Sequence, residues 1–238
     1  MAPLVAGVDG CRAGWVVVLS EGARSEVTVA RDFAGVLGLT RGARVVGIDM
    51  PIGLLDAAAP GGRECDRHAR RLLGRGRACS VFSPPARCAL TRPTYRAALS
   101  ANRASSAARL GISIECFFLF PRLREVDEAL TADPTLADRV TEVHPELSFR
   151  ALAGAPIGLV EPKRSPRGLS RRLALLRPAF PRIARALKAR GSGLAPDDVL
   201  DAHAVAWSAA RVARDTAVCL PARPAPRDAR GLPMAIWY

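Results

Sequence analysis

LVAGVDGCRAGWVVVLSEGARSEVTVARDFAGVLGLTRGARVVGID, residues 4–49, decides the fold. Three apolar runs, 4–9, 14–20 and 25–31, read as strands. A short helical stretch follows at 33–39, then a fourth run at 44–49. The tight GCRAG turn joins the first two runs as a hairpin. The helix between the third and fourth runs predicts that the fourth strand enters the sheet parallel to the first. Asp9 and Asp49 each close a buried run, and Pro51 stops the fourth from continuing as a central strand.

Beyond Gly61 the pattern changes. RECDRHARRLLGRGRA (63–78) predicts an Arg-rich helix, SVFSPPARCALTRPTY (80–95) is irregular, and 93–109 is a weaker helix. Residues 111–134 predict a further helix, capped by Ser113 and kinked at Pro121. RVTEVHPELSF (139–149) reads as a fifth strand ending near His144 and Pro145. A loop at 156–168 precedes a basic helix over 169–190, broken near Pro178 and Pro181. PDDVLDAHAVAWSAARVAR (196–214) is the clearest helix, with Pro196 at its start, acids in its first turn and arginines in its last. The tail, 228–238, offers a final edge strand. The expected organisation is one α/β domain over 3–238, a mixed five-stranded sheet flanked by helices, with a helical Arg-rich insertion at 61–135 after the fourth strand.

With 238 residues, 49% of them hydrophobic, the chain can bury a sizeable core. Its 35 basic and 22 acidic residues leave a net charge of +13, which favours a polyanionic partner such as nucleic acid. Almost every base is Arg, only Lys163 and Lys188 being Lys, so a GC-rich coding bias competes with that explanation. Six scattered cysteines without C-x-x-C or zinc spacing indicate a reduced, cytoplasmic chain. No apolar run approaches membrane-spanning length, and no leader-like segment opens the chain.

Three acidic groups recur at the ends of predicted elements: Asp9, Asp49, and the Asp198/Asp201 pair on the late helix. Asp198 and Asp201 are i and i+3 and share a face, whereas Asp197 reads as a first-turn charge pointing elsewhere. Hairpin, third strand, helix, fourth strand and late acidic helix form the order of the ribonuclease H-like fold. Carboxylates that end neighbouring buried strands repel unless a cation neutralises them, so Mg²⁺ or Mn²⁺ is the expected cofactor. Two such ions would support in-line phosphodiester hydrolysis. Arg12, Arg70, Arg75, Arg77, Lys163 and Arg172 are the candidate phosphate contacts. A non-catalytic nucleic-acid or nucleotide-binding module is the alternative. An ATP-handling protein with a D-G turn on the γ-phosphate is disfavoured, because no second glycine-rich loop is present.

GVDGCRAGW, GIDMPIGL, CDRHARRLLG with SVFSPP, REVDEAL, EVHPELSF, DDVLDAHAVAWSAAR and GLPMAI resemble, in order, the bacterial and archaeal domain of unknown function 429 family, described as a predicted ribonuclease H-like nuclease. The resemblance runs from about Val5 to Ile236. It implies a ribonuclease H-like fold, a metal-dependent nuclease, and site roles for Asp9, Asp49, Glu142, His144, Glu146, Asp198 and Asp201. Glu115 and Arg122 stand where that family tends to carry Gln and Lys. In EVHPE, strand alternation would set Glu142, His144 and Glu146 on one face, with His144 available as a proton shuttle. His68 and His203 read as structural.

Overall fold

The computed structural model describes residues 2–191 and 193–238. β1 (Leu4–Cys11) pairs antiparallel with β2 (Gly14–Glu21), and β2 with β3 (Arg24–Ala30). Asp32 caps α1 (Phe33–Leu39), its carboxylate accepting from the Gly35 N–H at 2.8 Å. α1 returns the chain to β4 (Val45–Ile48), which lies parallel to β1, and β5 (Val140–Glu142) lies parallel to β4. The sheet order is β3-β2-β1-β4-β5, so β1 and β4 are central neighbours. The mixed five-stranded α/β sheet expected from the sequence is therefore present, four strands from the first 49 residues and the fifth from 140–142.

Between β4 and β5 run α2 (Glu64–Leu73), α3 (Arg87–Leu90), α4 (Tyr95–Ala104), α5 (Ile114–Phe118) and α6 (Phe120–Ala132). This insertion shares the core of the sheet: Leu123 and Val126 of α6 join Phe33 of α1 against Val8, Val17 and Ile48. Ser113 caps α5 as expected, accepting from the Cys116 N–H at 3.1 Å. Pro121, however, opens α6 instead of kinking one long helix. First-turn amides have no helical acceptor, so the missing N–H costs nothing there.

The opposite face carries α7 (Pro145–Leu152), α8 (Pro166–Leu176), α9 (Ile183–Ala189) and α10 (Pro196–Val212). The break between α8 and α9 holds Pro178 and Pro181, as the sequence indicated. α10 crosses β1, β2 and β4 at close range because Gly7 and Gly47, paired in register, lie beneath it. A Cβ on Gly7 would stand 2.1 Å from the Ala202 carbonyl oxygen and 2.2 Å from the Ala206 nitrogen; one on Gly47 would meet Val205 at 2.9 Å.

The fifth strand, expected to end near His144 and Pro145, ends two residues earlier at Glu142. Pro145 starts α7, and the preceding His144 is held extended, so β5 ends at Glu142. In the tail, β7 (Ile236–Trp237) pairs antiparallel with β6 (Cys219–Leu220), and Trp237 bridges to Val143. Asp228 pairs with Arg87 of α3 and accepts from the Leu54 N–H at 3.0 Å. No described helix is long and apolar enough to cross a membrane.

Candidate functional site

Side chains on a strand alternate, so the residues two beyond Gly7 and Gly47 also face α10. Those residues are Asp9 and Asp49. The Asp49 N–H donates to the Val8 carbonyl at 2.9 Å, which sets the two acids side by side at the carboxyl ends of β1 and β4. Asp9 is only 8% exposed. No hydrogen bond from a described residue reaches either carboxylate. Burial, then the Asp49 and Asp201 charges, raise the Asp9 pKa well above the usual carboxylate range. Burial also raises Asp49, with His144 and Lys163 acting against it.

α10 supplies the third side of the cluster. Burial pushes the Asp201 pKa up to about 6, against the pull of Lys163 and with help from Asp49 and Glu146. Lys163 Nζ lies 2.8 Å from Asp201 Oδ2 and 3.8 Å from Asp197 Oδ2, and Arg164 Nε lies 3.0 Å from Asp197. Burial opposes the Lys163 charge, yet the carboxylates around it, Asp201 first, raise its pKa. Asp197 is thus a buried member of the cluster, correcting the expectation that it points away. The i, i+4 spacing of Asp197 and Asp201 was the signal. Asp198 is half-buried; burial and then Asp197 raise its pKa.

The EVHPE acids play roles other than those expected. Glu142 takes a bidentate ion pair from Arg63, both bonds at 2.7 Å, and the Ile52 N–H at 2.8 Å. Arg63 also pairs with Asp66 at 2.7 Å. Glu146 is buried in α7 against Arg172 at 2.6 Å. Both glutamates are committed to internal cations, so neither Glu142 nor Glu146 forms a strand-face catalytic set with His144. His144 Nε2 lies 3.2 Å from the Ser80 carbonyl oxygen, its Nδ1 is buried without a partner, and Asp49 feels its charge. His203 is buried and held neutral, its pKa lowered by burial to about 4, consistent with a structural role.

A cleft of about 160 Å³ opens at the strand ends, lined by Asp9, Asp49, Arg122, His144, Glu142 and Arg63 among others. Arg122, whose departure from the family pattern put its role in question, borders Gly10, donates to the Gly14 and Cys11 carbonyls and lies over Trp15.

The expected phosphate contacts divide. Arg12, in the β1–β2 turn, and Arg75 are exposed. Arg70 donates to the Gly61 and Val81 carbonyls and to Ser83, and Arg77 to the Leu159 and Glu161 carbonyls. Arg172 is fully buried. These last three brace the fold, because an Arg-rich sequence does not reveal which guanidiniums are turned inward.

The acids suit a hard cation in one respect. Asp9 is nine-tenths buried without a hydrogen-bond donor among the described residues, and Asp201 Oδ1 is buried without a partner. Among the described residues, no three His, Cys, Asp or Glu side chains are already gathered at metal-binding spacing. An ion on Asp9 and Asp49 would take two protein ligands and complete its shell with water, as Mg²⁺ commonly does.

Fold and cleft define a mixed α/β protein with a buried acidic site at the carboxyl ends of two central parallel strands. The chain belongs to the family described as Protein of unknown function (DUF429), which it matches over residues 7–226. No curated protein and no solved structure matches it.

Proposed function

We propose that this protein is a ribonuclease H-like, metal-dependent nuclease that hydrolyses phosphodiester bonds in DNA or RNA with Mg²⁺ or Mn²⁺. The sheet order, with one acid ending β1, one following β4 and others on a late helix crossing both, supports that fold assignment. One observation carries the reading: Asp9 is buried beside Asp49 without a hydrogen bond from the described residues, and the pull of Lys163 does not offset the burial and the neighbouring carboxylates that raise its pKa. A divalent ion there would supply that stabilisation, polarise a phosphoryl oxygen and acidify water. Asp9 and Asp49 would hold the ion, while Asp198 and Asp201 would extend the negative field from α10. His144, which lines the cleft and whose charge acts on Asp49, would be the residue placed to take the proton of the attacking water. Arg122 on the cleft wall and the exposed Arg12 in the β1–β2 turn would orient the phosphate. The compartment that suits this reading is the cytoplasm.

The test is cleavage of single- and double-stranded DNA and RNA with Mg²⁺, Mn²⁺ or EDTA. Cleavage is expected only with a divalent ion and is lost in Asp9→Asn. That variant keeps the fold and melts no lower than the parent, since it removes a charge whose burial is unfavourable. Parent-like cleavage by Asp9→Asn would remove Asp9 from the mechanism. A second reading is binding of nucleic acid or a nucleotide without catalysis, and Lys163, which neutralises Asp201 without any metal, favours it. It predicts EDTA-insensitive binding and no cleavage.

A further inference from the structure

We infer that the Lys163 ammonium is the site's own second cation: one divalent ion binds at Asp9 and Asp49, and Lys163 takes the place beside Asp201 and Asp197 that a second metal would otherwise fill. The inference rests on the metal site proposed above and fixes its ion count.

Charge and position both support it. Asp201 and Asp197 are buried at 2% and 4% exposure, and Lys163 Nζ reaches them at 2.8 and 3.8 Å. Arg164 adds a second cation on Asp197, and Glu146 is matched by Arg172. Among the described residues, Asp9 and Asp49 at the cleft and the half-buried Asp198 on α10 are in no close ion pair, and one divalent ion at the cleft would neutralise the first two, on which Lys163 acts only from its place beside Asp201. The open volume agrees: the cleft is lined by Asp9 and Asp49, while Asp201 and Lys163 lie outside its lining.

Lys163 is also held in place. Its turn is closed by the Ser165 N–H donating to the Pro162 carbonyl at 3.0 Å, and Ser165 caps α8 through the Gly168 N–H at 3.0 Å. Arg77 and Arg172 both donate to the Glu161 carbonyl two residues before Lys163. A flexible surface lysine would need no such bracing. An ammonium in this place differs from a metal in that it cannot be chelated and keeps N–H groups free to donate to a phosphoryl oxygen.

Calorimetric titration of the full chain with Mn²⁺, checked by electron paramagnetic resonance of free Mn²⁺, counts the ions without any substrate. The wild type is expected to bind one Mn²⁺, Lys163→Arg one, and Asp9→Asn at least tenfold more weakly. Lys163→Met, if folded by circular dichroism, is expected to gain a second Mn²⁺. Two Mn²⁺ in the wild type, or no second ion in folded Lys163→Met, overturns the inference while leaving the metal-dependent reading intact. No Mn²⁺ at all in the wild type overturns both. If Lys163→Met does not fold, the wild-type count decides.

Discussion

Arg172 occupies the buried stripe of α8, in the i, i+4 series Gly168, Arg172, Leu176. Its guanidinium meets Glu146 at 2.6 Å and lies over the Phe149 ring at 5.2 Å. Removing one member of such a pair strands the other charge in a low-dielectric interior. Arg172→Met is therefore expected to lose about 3–5 kcal/mol in denaturant unfolding. Glu146→Gln with Arg172→Met should lose distinctly less than the sum of the two single changes, because nothing charged is then left unpaired. Strictly additive losses would show that the two side chains are not coupled. The buried role was half legible: the i, i+4 series was open to reading, but in a chain where nearly every base is Arg the residue type carried no information about burial. Asp9 and Asp49 were easier, because each ends an apolar strand and alternation fixes where its side chain goes.

Among the elements, α10 is closely held, since its backbone rests on Gly7 and Gly47. A methyl on Gly7 would meet main-chain atoms of Ala202 and Ala206, which cannot rotate aside. Gly7→Ala should cost on the order of 3 kcal/mol and displace Asp201 from Asp9. Gly38→Ala in α1, where an added Cβ meets nothing within 4 Å, should be neutral or stabilise by about 0.5–1 kcal/mol. Thermal melts of the two variants check this, and equal behaviour would contradict the tight contact. Pro121 was misread as a kink, and Pro145, read as the end of the fifth strand, was not seen to open a helix. Pro121 and Pro145 both begin helices, and His144-Pro145-Glu146 carries the start signal of an extended residue, proline and a first-turn acid. Apolar periodicity cannot distinguish a proline that kinks an element from one that opens the next.

For the molecule as a whole, the net charge of +13 overstates the cations offered to a partner. Arg63, Arg87 and Arg172 are spent on internal acids, and Arg70 and Arg77 on carbonyl oxygens. Arg12 and Arg75 remain at the surface. If nucleic acid is the partner, a binder making about six phosphate contacts should lose on the order of a thousandfold in affinity between roughly 50 and 200 mM salt. Replacing Arg12 and Arg75 together by Ala should flatten the log–log slope by about two without lowering the melting temperature. Arg70→Ala or Arg77→Ala should instead lower the melting temperature. Weak binding that ignores salt would assign the arginine content to coding bias alone. The sheet order was legible because a tight turn and one returning helix connect the strands; the sorting of charges into inner and outer was not, because it depends on long-range packing.

The family match ends at residue 226, but the folded unit does not. Past that point the chain still contributes Asp228, the counter-charge of Arg87; Leu232, a buried core residue; Trp237, the bridge to Val143; and Ile236, a wall of the acidic cleft. The last dozen residues work as a clasp. They tie the inserted helices to the sheet edge from outside, so the border of the recurrent sequence is not the border of mechanical closure.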